Sequence, residues 1–127
     1  IHGAEPVGHC YPGKGRNLPE KLYSLAKKHP SNKFIFSHFG GGLVFYEHMP
    51  EVKEALKNVY YDSAAQPFLY DKKIYNNAIN SSNIKKILFA SDYPLINIKR
   101  CLSQLSDLTE DEKNHILSYN PISVFNL

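Results

Sequence analysis

Three side chains that could bind a metal ion each follow an apolar segment of the sequence. His2, His38 and Asp92 stand at the ends of runs that are typical of short, buried strands. Imidazole nitrogen and carboxylate oxygen are ligands for divalent ions, for zinc above all and also for manganese or iron. An ion held in this way lowers the pKa of a bound water to about 7, and the Asp92 carboxylate beside it could accept the proton. The three residues together predict a divalent-metal site.

Each of these residues also has an ordinary structural explanation when it is considered alone. A histidine after a strand is more often a hydrogen-bonded structural residue than a metal ligand. Asp92, which precedes Tyr93 and Pro94, is typical of an Asx turn. The metal hypothesis is favoured because three such residues follow three different strands.

The elements that must position these side chains alternate between strands and helices. Four apolar runs are continuous rather than alternating, which predicts strands buried on both faces. They are Ile1–His2, Phe34–His38, Val59–Asp62 and Ile87–Asp92. Helical spacing of apolar residues follows each run, so we expect an α/β fold with four βα units and a parallel sheet. Because the carboxyl ends of parallel strands share one edge, the three candidate ligands are expected to converge there.

Capping residues and prolines mark the predicted helix boundaries. Asn17–Glu20 predicts a capped helix that ends before Pro30, and Thr109–Glu112 predicts a second capping box. Further helices are predicted at Leu43–Leu56 with a kink at Pro50, at Tyr70–Ile79 and at Ile98–Leu105. The last segment is expected to pack three apolar side chains against the body: Ile122, Val124 and Phe125.

Other polar or glycine-rich segments are weaker candidates. Gly40–Gly42 could present N–H groups to an anion, or could form a tight turn that lets the backbone pass close to the site. The basic segment Pro12–Arg16 could bind an acidic substrate, although a solvated loop beside the active site explains it better. His9 and Cys10 are not expected to be ligands. Asp62, at the end of its strand, could orient a ligand histidine.

Composition limits the class of protein and its partners. The chain has 127 residues, of which 43% are hydrophobic and 21% charged, so we expect one folded domain over residues 1–127. A net charge of +3 is too small and too dispersed to indicate nucleic-acid binding. No apolar run approaches the roughly 18 residues of a membrane helix, so no membrane partner is expected. Two cysteines cannot form the disulfide framework of a secreted domain, which favours a cytoplasmic protein.

Four motifs, in this order, resemble the C-terminal half of the amidohydrolase superfamily. They are Ser37–Gly42, Tyr60–Ala64, Ile87–Pro94 and Asn120–Phe125. The similarity is greatest to the branch of amidohydrolase-related, metal-dependent TIM-barrel enzymes that includes aminocarboxymuconate-semialdehyde decarboxylase. The resemblance spans essentially the whole chain.

The resemblance implies a fold and a set of residue roles. The fold is the C-terminal half of a (β/α)8 TIM barrel, with about four parallel βα units followed by C-terminal helices. His2 resembles the metal ligand that ends strand 5, and Asp92 resembles the strand 8 aspartate, a metal ligand and proton shuttle. His38 resembles the strand 6 histidine, which ligates a metal or activates the water. The implied metal ligands are therefore His2, His38 and Asp92, and the implied catalytic residues are His38 and Asp92.

The sequence lacks the His-x-His pair that the family places at the end of strand 1. A complete (β/α)8 barrel takes roughly 250 residues, and four units alone leave two unpaired strand edges. We therefore expect a partial barrel that is a fragment of a longer chain, or that pairs with a missing N-terminal half or with another copy as a homo-oligomer. Alone, it is expected to bind metal weakly and to be inactive.

The leading functional hypothesis is a metal-dependent hydrolase of small molecules, in which metal-activated water attacks an amide, ester or related bond. The first alternative is a metal-dependent decarboxylase of the same family, which would use the same residues on a carboxylate-bearing substrate. The second alternative is a non-catalytic half-barrel module that associates with itself. The substrate is not indicated, because barrel specificity depends largely on loops.

Overall fold

A small sheet of three parallel strands lies at the centre of the computed structural model, which describes residues 1–127. The strands are β1 (Phe34–Phe36), β2 (Val59–Asp62) and β3 (Ile87–Leu88), and they pair in the order β1-β2-β3. Both pairs are parallel. Helical segments connect the strands, so the predicted α/β class with a parallel sheet is confirmed.

The first residue of the chain extends this sheet beyond β1. The Ile1 ammonium group donates to Ile35 O at 2.7 Å, and Ser37 N donates to Ile1 O at 2.9 Å. In a parallel ladder, a residue bonds to the two residues on either side of its partner in the next strand. Ile1 bonds in this way to Ile35 and Ser37, on either side of Phe36. The sheet therefore contains three strands and one further paired residue, where the sequence predicts four strands.

Two strands end earlier than the sequence predicts. β1 stops at Phe36 and β3 at Leu88, so His38 and Asp92 lie in the segments that follow. His38 has a φ of 58° and Asp92 a φ of 64°, and a strand cannot continue through backbone with positive φ. Both residues still follow the carboxyl ends of parallel strands.

Eight α-helical segments surround or follow the sheet. They are α1 (Pro19–Lys28), α2 (His38–Gly41), α3 (Pro50–Ala55), α4 (Gln66–Leu69), α5 (Ile74–Ser81), α6 (Ile98–Ser103), α7 (Glu110–Asn114) and α8 (Asn120–Phe125). Tighter 3-10 turns span Leu43–His48 and Ile84–Lys86, and a π-helical turn, His115–Tyr119, joins α7 to α8. The short α4 has no counterpart among the predicted helices. None of the helices combines the length and the apolar character that crossing a bilayer requires.

One predicted capping box is present and the other is absent. Glu112 N donates to Thr109 Oγ1 at 3.3 Å and Thr109 N donates to Glu112 Oε2 at 2.8 Å, which caps α7 as predicted. The predicted cap at Asn17 is wrong, because Leu18 occupies the N-cap position of α1 and no side chain caps it. The Asn17 side chain is used elsewhere, since its Nδ2 donates to His2 O at 3.3 Å.

Helix α8 buries a polar residue where the sequence predicts apolar contacts. Asn120 Nδ2 donates to Ile84 O and Ile87 O, both at 2.8 Å, so this amide ties α8 to the start of β3. Val124, one turn later on the same face, is buried as predicted. Two side chains that were expected to pack against the body are exposed instead: Ile122 (46%) and Phe125 (55%).

The core lies between the sheet and the helices. Its main cluster contains 17 buried apolar residues, and a second, smaller cluster contains Ala65, Ile96 and Cys101. The strands contribute Phe36, Tyr61 and Ile87, α1 contributes Leu22, and the π-helical turn contributes Ile116. Because every layer contributes, packing as well as ladder hydrogen bonds fixes the strands that carry the candidate site.

One buried ion pair joins the 3-10 turn Leu43–His48 to the 3-10 turn that precedes β3. Lys86 Nζ lies 2.6 Å from Glu47 Oε1, and the two side chains are 12% and 0% exposed. Tyr61 Oη donates to the same carboxylate at 2.7 Å. Burial lowers the pKa of Lys86, an effect that the hydrogen bond and charge of Glu47 oppose, and burial raises the pKa of Tyr61 well above its usual range. The Glu47 carboxylate thus accepts from both Lys86 and Tyr61 and is closed off from solvent.

Candidate metal site

His38 lies in a left-handed turn directly after β1. Every residue of α2, from His38 to Gly41, has a positive φ between 53° and 66°. Glycine adopts such backbone freely, whereas the Cβ of His38 and of Phe39 makes it unfavourable. The turn leaves His38 buried, with 6% of the residue exposed.

Gly40–Gly42 forms a tight turn and does not form an anion site. Two of its N–H groups already donate within the turn, to Ser37 O at 3.0 Å and to Phe39 O at 3.2 Å. A Cβ on Gly41 would lie 2.4 Å from Ala4 O. The missing side chain therefore lets the N-terminal segment pass directly against the turn, which is the second of the two alternatives that the sequence leaves open.

This close passage brings His2 beside His38. His2 Nδ1 lies 3.0 Å from His38 Nε2, with the ring planes 79° apart. The second nitrogen of each ring donates to a backbone carbonyl: His2 Nε2–H to Lys14 O at 2.7 Å, and His38 Nδ1–H to Ala64 O at 2.6 Å. Since a carbonyl oxygen only accepts, each neutral ring carries its proton on the nitrogen that faces the carbonyl. His2 Nδ1 and His38 Nε2 therefore face each other with their lone pairs.

The facing nitrogens fit a shared divalent cation. Two lone pairs 3.0 Å apart repel each other, and a metal ion placed between them would relieve this repulsion. Two imidazole nitrogens bound to one ion at about 2.0–2.1 Å are separated by about 2.9–3.3 Å for angles of about 90–109°. Metal-binding histidines also usually donate their second ring N–H to a carbonyl or carboxylate, as both rings do here. The donor atoms, their separation and their backing thus suit a divalent metal.

Asp92 lies on the same cavity as the two histidines. A cavity of about 690 Å³ is lined by His2, His38 and Asp92 among others, so the three residues open onto one space. Asp92 itself is exposed, and no group of three His, Cys, Asp or Glu side chains comes close enough to hold one ion. The Asx-turn interpretation of Asp92 is wrong, because the residue two positions later is Pro94, which has no N–H to donate.

Asp62 acts on His38 through the backbone and not by direct contact. Its Oδ1 accepts from Ala64 N at 3.0 Å, and its Oδ2 accepts from Ser37 Oγ at 2.8 Å. Ala64 O is in turn the acceptor of His38 Nδ1–H. The predicted orienting role of Asp62 is therefore indirect, because its carboxylate fixes the residues on either side of the imidazole.

The cavity wall also contains residues that sequence analysis does not identify as part of a site. His9, Cys10 and Tyr11 all line it. Burial raises the pKa of Tyr11, and the negative charges of Glu5 and Asp92 raise it further. The Tyr11 hydroxyl is therefore a neutral donor at ordinary pH. No local sequence signal marks it, because its neighbours come from distant parts of the chain.

Solved structures share this fold. The chain aligns with a dihydroxybenzoic acid decarboxylase from Polaromonas sp. JS666, with bound manganese, at a TM-score of 0.68 and 18% identity. It aligns with a 5-carboxyvanillate decarboxylase from Novosphingobium aromaticivorans, complexed with manganese, at a TM-score of 0.70 and 15% identity. An amidohydrolase from Burkholderia multivorans with bound zinc gives a TM-score of 0.64 and 13% identity. At these identities the similarity establishes the fold alone.

The alignments cover most of this chain but less than half of the solved structures. In each case 86% of this chain is matched, against 41%, 38% and 49% of the other chains. The small parallel sheet therefore corresponds to part of a larger amidohydrolase-type TIM barrel. No curated protein sequence matches the chain significantly.

The family is established by the sequence itself. The sequence model of the Amidohydrolase family matches residues 14–127. This range contains His38 and Asp92, together with all four motifs that resemble the superfamily, and it begins after His2. The chain belongs to the amidohydrolase family.

Proposed function

We propose that the chain forms part of the active site of a metal-dependent hydrolase that acts on a small molecule. The observation that carries this proposal is the pair of facing nitrogens, His2 Nδ1 and His38 Nε2, each backed by a backbone carbonyl. A divalent ion at this position would supply Lewis acidity and would lower the pKa of a coordinated water. Family membership supports the proposal, as do the manganese and zinc in solved structures of similar fold.

The residues of the chain have separate tasks in this proposal. His2 and His38 would hold the ion through the facing nitrogens, and the Lys14 and Ala64 carbonyls keep both rings in the tautomer that this requires. Asp92 lines the same cavity and would accept a proton at its carboxylate. To serve as a further ligand, it would have to lie closer to the two histidines than it does here. In the alternative role, His38 Nε2 would accept a proton from the water in place of binding the ion, because Nδ1 already donates to Ala64 O and only one ring nitrogen is free. Zinc suits this nitrogen and oxygen donor set best, with manganese or iron as alternatives.

We also propose that residues 1–127 form one partial barrel domain with four consecutive βα units of a (β/α)8 barrel. The paired residue Ile1 supports this, because it continues the parallel sheet beside β1 in the order that a barrel requires. The span of less than half of each solved structure agrees with four units of eight. The other strands would come from an N-terminal half or from a second copy.

A decarboxylase is the second candidate, and the cavity wall favours it. Phe68, Leu69 and Leu95 line the same space as the histidine pair, and such a surface suits a planar apolar body. Two of the similar structures are a dihydroxybenzoic acid decarboxylase and a 5-carboxyvanillate decarboxylase. The substrate would then carry a carboxylate, in place of the amide or ester that a hydrolase attacks.

Metal titration of the chain tests the proposed site. Calorimetric titration with Zn²⁺ or Mn²⁺ is expected to show one binding site in the wild-type chain. His2→Ala and His38→Ala are each expected to weaken binding by at least about tenfold. The control His29→Ala replaces an exposed histidine at the C-terminal end of α1, and it is expected to leave binding unchanged.

Two outcomes would contradict the proposal. Unchanged one-to-one metal binding in a His2→Ala/Asp92→Asn double variant would show that the ion is held elsewhere. A wild-type chain that binds no metal and elutes as a stable dimer in size-exclusion chromatography would support the non-catalytic, self-associating module instead.

A further inference from the structure

The loop that precedes α1 closes around the side chain of Lys14. Lys14 Nζ donates to His9 O at 2.7 Å and approaches Val7 O and Gly8 O at 3.4 and 3.5 Å. An ammonium group has three N–H donors and no acceptor, so three carbonyls of the loop account for all of them. Residues 7–14, the Lys14 loop, are thus held together by one cation.

Lys14 serves this loop and does not face the cavity. The cavity wall includes His9, Cys10, Tyr11, Pro12 and Gly13 but not Lys14. Because the ammonium group is already bonded to carbonyls, it is not available to an acidic substrate in the cavity. Of the two cations in the basic segment Pro12–Arg16, Lys14 therefore has a structural role.

The backbone of the same residue fixes the ring of His2. His2 Nε2–H donates to Lys14 O at 2.7 Å. Lys14 stands between Gly13 and Gly15, whose φ values are 82° and 78°, and a Cβ on Gly15 would lie 3.3 Å from His2 Cδ2. The two glycines allow the backbone to reverse direction here, and the ring of His2 packs directly against Gly15.

The Lys14 carbonyl determines which nitrogen of His2 carries the proton. Without this acceptor, the proton can move to Nδ1 and bond to His38 Nε2, which lies 3.0 Å away. In that arrangement His2 Nδ1 carries the proton and His38 Nε2 accepts the hydrogen bond, so neither nitrogen keeps a free lone pair. While the Lys14 loop is closed, the bond to Lys14 O stabilises the Nε2–H tautomer and Nδ1 keeps its lone pair.

We propose that Lys14 is a positioning residue for His2: its ammonium group closes the loop, and the closed loop holds His2 in the Nε2–H tautomer with Nδ1 open. The use of that open nitrogen for a metal rests on the proposed function. The tautomer itself requires no metal, so the two ideas can be tested separately.

Nitrogen-15 NMR of the His2 ring in the metal-free chain tests the inference, at a pH where both rings are neutral. Protonated and unprotonated ring nitrogens have distinct chemical shifts. The wild-type chain and Lys14→Arg are expected to show a protonated Nε2 and an unprotonated Nδ1. Lys14→Met is expected to shift both signals towards the opposite tautomer. The control Arg16→Met removes the other cation of the segment and is expected to leave the signals unchanged.

Wild-type signals in Lys14→Met would overturn the inference, and so would an equal change in Arg16→Met. Circular dichroism checks that the variants fold, and Lys14→Gln takes the place of Lys14→Met if that variant does not. Zn²⁺ titration of the same samples is expected to show binding at least about tenfold weaker in Lys14→Met than in Arg16→Met. Equal affinity of these two variants would overturn the positioning role. A wild-type chain that binds no zinc, combined with a changed tautomer in Lys14→Met, would refute the proposed function and leave the effect on His2 standing.

Discussion

Gly41 is the residue whose missing side chain allows the two histidines to meet. Its φ is 61°, and a Cβ there would lie 2.4 Å from Ala4 O. Gly41→Ala is therefore expected to displace the N-terminal segment and to separate His2 from His38. We expect the free energy of unfolding to fall by about 2–4 kcal/mol, from overpacking and left-handed strain together. Urea denaturation measures this loss, and metal titration measures the accompanying loss of binding.

Gly8 provides the matched control for this substitution. Its φ is 80°, and nothing lies within 4 Å of a Cβ built there. Gly8→Ala therefore adds left-handed strain alone, about 1–2 kcal/mol, and serves as the control for stability only, because Gly8 lies in the Lys14 loop. Equal destabilisation by the two substitutions would show that the contact with Ala4 is unimportant.

Glu47 is a second residue whose replacement is expected to be costly. Glu47→Ala leaves the mostly buried Lys86 ammonium without its carboxylate and leaves Tyr61 without its acceptor. Removal of one partner of a buried pair destabilises by about 3–5 kcal/mol. The control Glu54→Ala breaks an exposed pair with Lys57 and is expected to change stability by less than about 1 kcal/mol in urea denaturation. If Glu47→Ala also lowered the free energy of unfolding by less than about 1 kcal/mol, the buried pair would add no stability.

At the scale of residues, the sequence predicts which side chains line the cavity better than it predicts their hydrogen-bond partners. The strand-end rule placed His2, His38 and Asp92 on one cavity because parallel strands share a carboxyl edge. It could not identify the carbonyls of Lys14 and Ala64, because every residue has a carbonyl and only the fold determines which one an imidazole meets.

At the scale of elements, Asn120 fastens the C-terminal helix to the sheet. Its amide bonds the carbonyls of both Ile84 and Ile87. Asn120→Ala would leave the Ile87 carbonyl without this donor, and the Ile84 carbonyl would keep only the Ile87 N–H. We expect a loss of about 1–3 kcal/mol in the free energy of unfolding. The exposed Asn114, at the end of α7, is the control, and Asn114→Ala is expected to change stability by less than about 0.5 kcal/mol. A similar result for both variants in urea denaturation would contradict this role.

The bounds of the elements show why some strands are predicted better than others. β2 has the predicted bounds because neighbours on both sides complete its ladder. β3 is shorter than its apolar run, since Phe89 N donates to Ile116 O of the π-helical turn and not to a strand. An apolar run predicts that a segment is buried. It does not predict whether the backbone of that segment will bond to a strand or to a helix.

At the scale of the whole molecule, buried tyrosines predict a loss of stability in alkaline solution. Burial raises the pKa of Tyr75 from 10.0 to about 12. Because the folded-state pKa lies above the unfolded one, its contribution is complete below pH 10 and is lost as the pH rises to about 12. Between pH 8 and about pH 11, we expect the wild-type chain to lose about 1 kcal/mol more than Tyr75→Phe in urea denaturation.

The Tyr75→Phe variant keeps the ring that packs against Phe39, with ring centroids 5.6 Å apart, so the comparison isolates the hydroxyl. Tyr46 has 53% of its surface exposed, and Tyr46→Phe is expected to follow the wild-type pH dependence. Parallel pH profiles for the wild-type chain and Tyr75→Phe would refute the contribution of this residue.

His38 keeps a left-handed backbone, with a φ of 58°, in the centre of the molecule. Glycine in its place would relieve about 1–2 kcal/mol of backbone strain, but it would also remove a buried ring and its hydrogen bond to Ala64 O. Truncation of a large buried side chain generally costs about 2–5 kcal/mol, which exceeds the strain that glycine would relieve. The imidazole therefore stabilises the same turn that its own Cβ strains.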